Sequence, residues 1–312
     1  MIRRWVGIGL AVWMCLTAGV AIARLQVVAT TADLAALVRS VGGDRVEVLT
    51  LARPTEDPHF VDPRPSYLVR LSRADALVYG GAGLEAAWLT PLIQRAANAR
   101  ILPAARGHVR CCEGVTLLEA PAQLDRSQGD VHPLGNPHFL TDPENARVVV
   151  HHLADTFAEL DPEGAEEYRK NEKAFLLDLD RRLPGWLEQL RPHAGARLAA
   201  YHNAWPYFAR RFGLRIDLFL EPKPGIPPSA AHLARVIAEM KADGVRAILV
   251  EPYQDRRVAE RVAAETGARI VPVTQYPGGL KGTEGGYLEL MDYLVRAMAG
   301  ALSTGSGPEV RR

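Results

Sequence analysis

The sequence predicts an α/β protein of two lobes, each a parallel sheet covered by helices, joined by one long backbone helix with a ligand cleft between the lobes. Three observations predict it. From Leu25 onward, short β-branched runs alternate with amphipathic helical patterns, the order that builds parallel sheets from strand–helix–strand units. The alternation then stops for two consecutive helical stretches with no strand between them. It resumes afterwards in the same grammar and runs to the last helix. The expected division is a leader at 1–23, a first lobe at 24–162, a linking helix at 163–192, a second lobe at 193–303 and a flexible tail at 304–312.

Each element has a local reason. "MIRRWVGIGLAVWMCLTAGVAIA" joins a basic start (Arg3, Arg4) to an apolar run and the small-residue pattern of Ala21 and Ala23, the layout of a secretory leader cut after Ala23 and of a periplasmic protein. An uncleaved anchor is the alternative, because the run approaches the ~17 residues of a spanning helix. Cys15 lacks the small residues expected before a lipid-modified cysteine. "LQVVATT" reads as a strand and "ADLAALVRSVGG" as a helix closed by glycines. "RVEVLTLA" is the next strand, followed by a proline-rich loop and the helix "PSYLVRLSRA". "DALVYGG" and "ARILPAA" read as strands flanking the helical "LEAAWLTPLIQRAA".

"PENARVVVHHLADTFAEL" and "PEGAEEYRKNEKAFLLDLDRRLPGWLEQL" are the consecutive helices, each opened by Asp-Pro, where Asp caps and Pro suits the first turn. The second spans roughly 43 Å at 1.5 Å per residue, enough to reach across two lobes, with a kink expected at Pro184. "ARLAAYHN", "LRIDLFLEP", "RAILVEP" and "ARIVPVTQ" are then strands, separated by the helices "AWPYFARRFG", "SAAHLARVIAEMKADG" and "RRVAERVAAETG". "GGYLELMDYLVRAMAGAL" is the closing helix.

Bulk properties exclude several classes. Of 312 residues, 48% are hydrophobic and 23% charged, a globular balance. With 37 basic against 36 acidic residues the net charge is +1, which gives no electrostatic reason to expect nucleic acid. Without the leader only Cys111 and Cys112 are left, and adjacent cysteines do not reach the separation of an unstrained bridge. Two thiols without partner cysteines are also a poor zinc motif, so they read as small loop residues.

The chemistry gathers on histidines. In open α/β sheets ligands bind at the carboxyl ends of strands. His59, in "DPHF", lies in the loop after a first-lobe strand; His202 ends a second-lobe strand; His138, in "NPHF", precedes a helix between the lobes. Three imidazoles suit Zn2+, which takes nitrogen ligands at about 2.0–2.1 Å in tetrahedral geometry, whereas manganese and magnesium prefer oxygen. The preceding prolines restrict where His59 and His138 point. Phe60 and Phe139 are expected to wall the site against water.

At these residues the chain resembles the metal-binding solute receptors of bacterial ABC importers, the cluster A-I or TroA-like family. The stretches that carry the resemblance are "EDPHFVDPRPSYLVRLSRADALVYGGAGLEAAWL", "NPHFLTDPENARVVVHHLADTFAELDP", "YHNAWPYFARRFGL" and "ILVEPYQDRRVAERVAAETGARIV", in order over most of the chain. The resemblance implies two lobes bridged by one rigid helix, metal held between them by His59, His138 and His202, a membrane permease as partner and a monomeric receptor. Histidine rather than glutamate at the third position resembles the zinc members, so Zn2+ is expected ahead of Mn2+.

Two departures stand out. The loop before His138 is only "SQGDVHPLG", where many zinc members carry a long histidine-rich insertion; its His132 reads as a solvated loop residue, with a transient metal-collecting role as the alternative. Where many members place a carboxylate ligand after the last second-lobe strand, this chain has Gln275. The fourth position is therefore open to Gln275, water, hydroxide, Asp57, Glu251 or Glu284, with Glu251 expected to partner an arginine instead. His108, His151, His152, His193 and His232 read as ordinary surface or core histidines. The rival to a receptor is a zinc hydrolase or lyase with water on an open fourth position, and an adhesin of the same fold fits the same residues.

Overall fold

The structure is a computed structural model that describes residues 24–121, 132–223 and 225–303. The expected leader and tail lie outside the described residues. The first sheet is built from β1 (Leu25–Ala29), β2 (Val46–Thr50), β3 (Ala76–Tyr79) and β4 (His108–Arg110), with α1 (Ala32–Gly42), α2 (Pro65–Arg73) and α3 (Leu89–Ala96) between them. The helices α4 (Pro143–Leu160) and α5 (Ala165–Leu190) follow. The second sheet comprises β5 (Arg197–Ala200), β6 (Arg215–Phe219), β7 (Ala247–Val250) and β8 (Arg269–Pro272), with α6 (Pro206–Phe212), α7 (Ala230–Ala242) and α8 (Arg256–Thr266) between them; α9 (Tyr287–Ser303) closes the chain.

Both sheets are parallel throughout and share one strand order, second-first-third-fourth: β2-β1-β3-β4 and β6-β5-β7-β8. The order reverses beside β1 and beside β5. At such a reversal the connections leave to opposite sides and a crevice opens at the strands' carboxyl ends. The chain thus builds two crevices, and the segments that follow β2 and β5 carry His59 and His202.

One apolar core threads both lobes, from Val27 and Leu37 through Phe157, Tyr168 and Trp186 to Trp205, Phe208 and Met291. Separate cores back each sheet on its other face, around Trp88 and Leu92 in the first lobe and Ile237 and Met240 in the second. Helix α5 is the shared wall, and its 26 residues span about 39 Å. It runs through Pro184 as one continuous helix. Polar pins reinforce the continuity. Arg211 donates to both Asp142 oxygens at 2.7 and 3.1 Å, and Tyr287 donates its hydroxyl to the Leu140 carbonyl at 2.8 Å. Tyr207 donates to the Asn136 carbonyl at 2.6 Å and accepts from the Leu118 N–H at 2.9 Å. No helix among the described residues is long and apolar enough to cross a membrane.

Several expectations need correction. "ARILPAA" is not a strand: Ala99–Ile101 is a short 3-10 turn capped by the Asn98 side chain, and β4 lies further on. Pro103 has no N–H for a ladder. Gly107, whose Cβ would fall 2.1 Å from the Asp75 carbonyl, is what lets the chain come alongside β3. Helix α3 is shorter than its pattern because Glu85 turns back to accept from the N–H groups of Gly80 and Gly81 and the Thr30 hydroxyl. Asp142 caps α4 as expected, but Asp161 makes no cap; it accepts from Arg45 and Tyr168 instead. Cys111 and Cys112, by contrast, are unbridged and lie in the turn just past β4 as expected, with both side chains buried.

Candidate metal centre

His59 and His138 are presented by the same local device. In "DPHF" the Asp57 Oδ1 accepts the His59 backbone N–H at 3.0 Å, and in "NPHF" the Asn136 Oδ1 accepts that of His138 at 3.0 Å. These are Asx turns, in which a short polar side chain closes on the backbone two residues ahead. Proline fills the middle, where its fixed φ and missing N–H cost nothing. The Pro58 carbonyl is clamped by the Trp88 indole N–H at 2.8 Å. Gly135, at φ +121, lets the second turn begin; a side chain there would meet the Leu118 carbonyl at 2.7 Å.

His202 is placed by strand geometry. It stands two residues past β5, the strand at the sheet's order reversal. The ladder continues beyond β6, where the Glu221 N–H donates to the Tyr201 carbonyl at 2.9 Å. That sets the Glu221 carboxylate beside the His202 ring, with Oε2 at 3.0 Å from Nδ1.

The three rings converge. Their centroids are 5.2 Å (His59–His138), 5.4 Å (His59–His202) and 5.3 Å (His138–His202) apart. Nε2 of His138 faces Nε2 of His202 at 3.2 Å, and one nitrogen from each ring lies within 4.8 Å of the others. No other such group of histidine, cysteine or carboxylate atoms occurs among the described residues. All three side chains are buried, and the His59 Nε2 has no hydrogen-bond partner. Buried polar atoms without partners are rare in folded proteins, and an electrophile is what these nitrogens lack.

Behind the rings stands a second set of groups. Asp57 Oδ1 is 2.8 Å from His59 Nδ1. The Gln275 Nε2 donates to the Glu251 oxygens at 3.0 and 3.3 Å, and Gln275 is hydrogen-bonded to His138, which leaves its carboxamide oxygen to accept from that imidazole. Glu251 also accepts from the Tyr253 hydroxyl, so its partners are Tyr253 and Gln275, not the expected arginine. Glu284 is exposed and accepts from the Gly282 N–H, away from the rings. Hydrogen bonds of this kind hold metal-binding imidazoles in one orientation and tautomer.

Charge differs sharply around the cluster. Burial and the neighbouring imidazoles of His59, His202 and His132 hold the His138 pKa well below the usual value, against a smaller upward pull from Gln275. For His202 burial acts downward, but the Glu221 carboxylate outweighs it and the net shift is upward. Asp57 is lowered: burial pushes it up, and its hydrogen bonds with His59 more than reverse that.

Two expectations about neighbours fail. Phe139 is buried at 1% exposure, but Phe60, which lines the cleft with its ring 6.1 Å from that of His59, is 55% exposed and so does not exclude water. His132 is not a solvated loop residue: its ring centroid lies 5.2 Å from that of His59, and burial, then His59 and His202, push its pKa down to about 3. Sequence reasoning also missed Glu221 and Asn136. The repeated Asx-Pro-His pattern was the available signal for Asn136; Glu221 had only its position at the end of the strand that pairs with β5. Four of the other histidines are engaged elsewhere, His108 with Ile101 and Tyr79, His151 with Glu172, His193 with Ser303 and His232 with Phe219, and the fifth, His152, lies within α4.

A cleft of about 350 Å3 opens beside His59 and His202, bordered by the proline loop at Ile226, Pro227 and Pro228. Two crevices facing each other, with buried imidazoles between them, are an arrangement for enclosing a small ion.

The family model for the periplasmic zinc-uptake complex component A, ZnuA, matches residues 27–301. The chain belongs to this family. Among curated proteins it is similar to the metal ABC transporter substrate-binding lipoprotein ScbA of Streptococcus cristatus, 24% identical over 90% of this chain and 89% of that protein. It is also similar to the manganese ABC transporter substrate-binding lipoprotein PsaA of Streptococcus pneumoniae serotype 4 (strain ATCC BAA-334 / TIGR4), 23% identical over 79% of this chain and 78% of that protein. A crystal structure of ZnuA superposes with a TM-score of 0.74 and 26% identity, covering 89% of this chain and 99% of that one. The TroA-like resemblance and the two-lobe α/β fold are thereby borne out. The protein is the metal-binding, extracytoplasmic component of an ABC transporter, with a membrane permease as its partner, and it is a receptor and not an enzyme.

Proposed function

We propose that the transported ion is Zn2+, captured one per chain by His59, His138 and His202 and delivered by a monomeric receptor, matured by cleavage after Ala23, to the permease. Lobes at 24–162 and 193–303, joined by the helix at 163–192, enclose it. The observation that carries the reading is the meeting of three buried imidazoles from three distant segments, with their nitrogens within 4.8 Å of one another. Nitrogen-only donors favour zinc over manganese, which is better served by carboxylates. The nearby carboxylates of Asp57, Glu221 and Glu251 are engaged as hydrogen-bond acceptors from His59, His202 and Gln275. Gln275, anchored to Glu251, acts in this reading as the support of His138 and not as the fourth ligand.

Metal analysis of protein purified without chelator tests the proposal. One zinc per chain is expected in the parent and a loss of tight zinc binding in His202→Ala. Stoichiometric manganese or iron that zinc does not displace sinks it.

A further inference from the structure

The fourth position of such a site is unassigned, and one side chain stands next to it with nothing else to do. Among the described residues four buried side-chain atoms have no hydrogen-bond partner, and two of them are the Nε2 atoms of His59 and His132. Their rings adjoin, with centroids 5.2 Å apart and planes inclined by 33°. The remaining two atoms are Asp33 Oδ1 and Asn203 Oδ1. The charged neighbour felt by Asp33 is Glu85, not an imidazole, and Asn203 donates to Glu119. The other polar side chains around the rings are already committed: Asp57 to His59, Glu221 to His202, and Gln275 to Glu251 and His138.

The first lobe makes room for His132. Gly83, at φ +95, sits so close that a Cβ there would lie 3.0 Å from His132 Nδ1. The imidazole thus rests on a bare backbone turn, with its Nε2 turned inward and unpaired.

We propose that His132 is the fourth ligand of the transported ion, its Nε2 completing a shell of four imidazole nitrogens. The inference rests on the three-histidine reading above and deepens it. His132 lies outside the group whose nitrogens are mutually within 4.8 Å. A side-chain rotation therefore has to bring it onto the ion, which supplies the driving force by pairing both orphaned nitrogens. Four nitrogens give zinc the tetrahedral shell it adopts in closed sites, where no water is left for the metal to activate. A carrier is served by that closure, since its cargo must be held without reacting.

The test compares the parent with His132→Ala and His202→Ala by chelator competition for Zn2+ and by zinc-edge X-ray absorption. His132→Ala is expected to keep one zinc per chain, bind it at least tenfold more weakly, and lose one imidazole from a four-imidazole signature to an oxygen. Melting of the metal-free variant at the parent's temperature shows that the fold is intact. Unchanged affinity and shell in His132→Ala, with binding still lost in His202→Ala, overturns the fourth-ligand proposal and leaves the three-histidine reading standing. Weaker binding with an unchanged shell also overturns it, because His132 then only shields the ion. Parent-like binding in both variants removes the three-histidine reading as well.

Discussion

The two Pro-His-Phe segments make the sharpest comparison in the molecule. Each is an Asx turn that points an imidazole at the same spot, yet their surroundings are opposite. His59 has a carboxylate at its back, and Phe60 beside it is 55% exposed. His138 has a neutral carboxamide at its back, and Phe139 beside it is buried at 1% exposure. The same tetrapeptide chemistry thus forms a rim on one side and a floor on the other. Local sequence sets the turn; what the turn faces is set by the lobe it belongs to. His59 and His202 line the cleft beside them, whereas His138 is set back from it.

The comparison can be broken at several points. Phe139→Ala is expected to destabilise the fold by about 3–5 kcal/mol, as for deletion of a buried aromatic, while Phe60→Ala stays within about 0.5 kcal/mol. Equal losses in thermal or denaturant unfolding would erase the rim-and-floor distinction. Next in size is His138→Ala. Structural zinc sites contribute roughly 10–16 kcal/mol, or about 3 kcal/mol per ligand, so zinc affinity should fall about 100-fold or more. His59→Ala should cost less, about tenfold, because Asp57 is freed at the open side to coordinate in its place. Chelator competition on the two variants ranks them, and a larger loss at His59 reverses the assignment.

Asp57→Ala removes both the turn's cap and the ring's partner, and is expected to weaken zinc by about 10- to 100-fold. The smallest effect is a shift along the pH axis. The His202 pKa lies above its ordinary value in the metal-free protein because of Glu221, so falling pH protonates this ligand early. Zinc needs it neutral, and binding should therefore begin to weaken above pH ~6.5. Glu221→Gln removes the upward pull, moves the onset of release to lower pH and reduces affinity at high pH, where the imidazole becomes a poorer donor. Calorimetric titration across pH that shows the same onset in both proteins contradicts this.

Much of the fold was legible before any coordinates. Strand and helix periodicity located both sheets, and Asp142 caps the helix its position announced. The failures occurred where a tertiary partner overruled a local pattern. "ARILPAA" has strand composition, but the ladder partner of β3 had to be a segment bearing Gly107, since only a bare backbone fits against Asp75. Glu85 belongs to a helical pattern and was drawn off by three donors from the ends of β1 and β3. At the site, His59, His138 and His202 were recognisable because each follows a strand or a turn signal. His132 was misread because its environment is built by residues far from it in sequence, His59 and Gly83.

On its own, the order of residues announced the α/β alternation, the repeated Pro-His-Phe segments and three candidate imidazoles. These follow from side-chain period, backbone restriction and ligand type, which are local properties. Tertiary structure alone decided which imidazoles meet, which are held by a carboxylate and which by a carboxamide, and which phenylalanine is dry. Those depend on how two crevices, separated by more than a hundred residues, are pressed together along one continuous core; burial and distance are properties of that packing and leave no trace in any single segment.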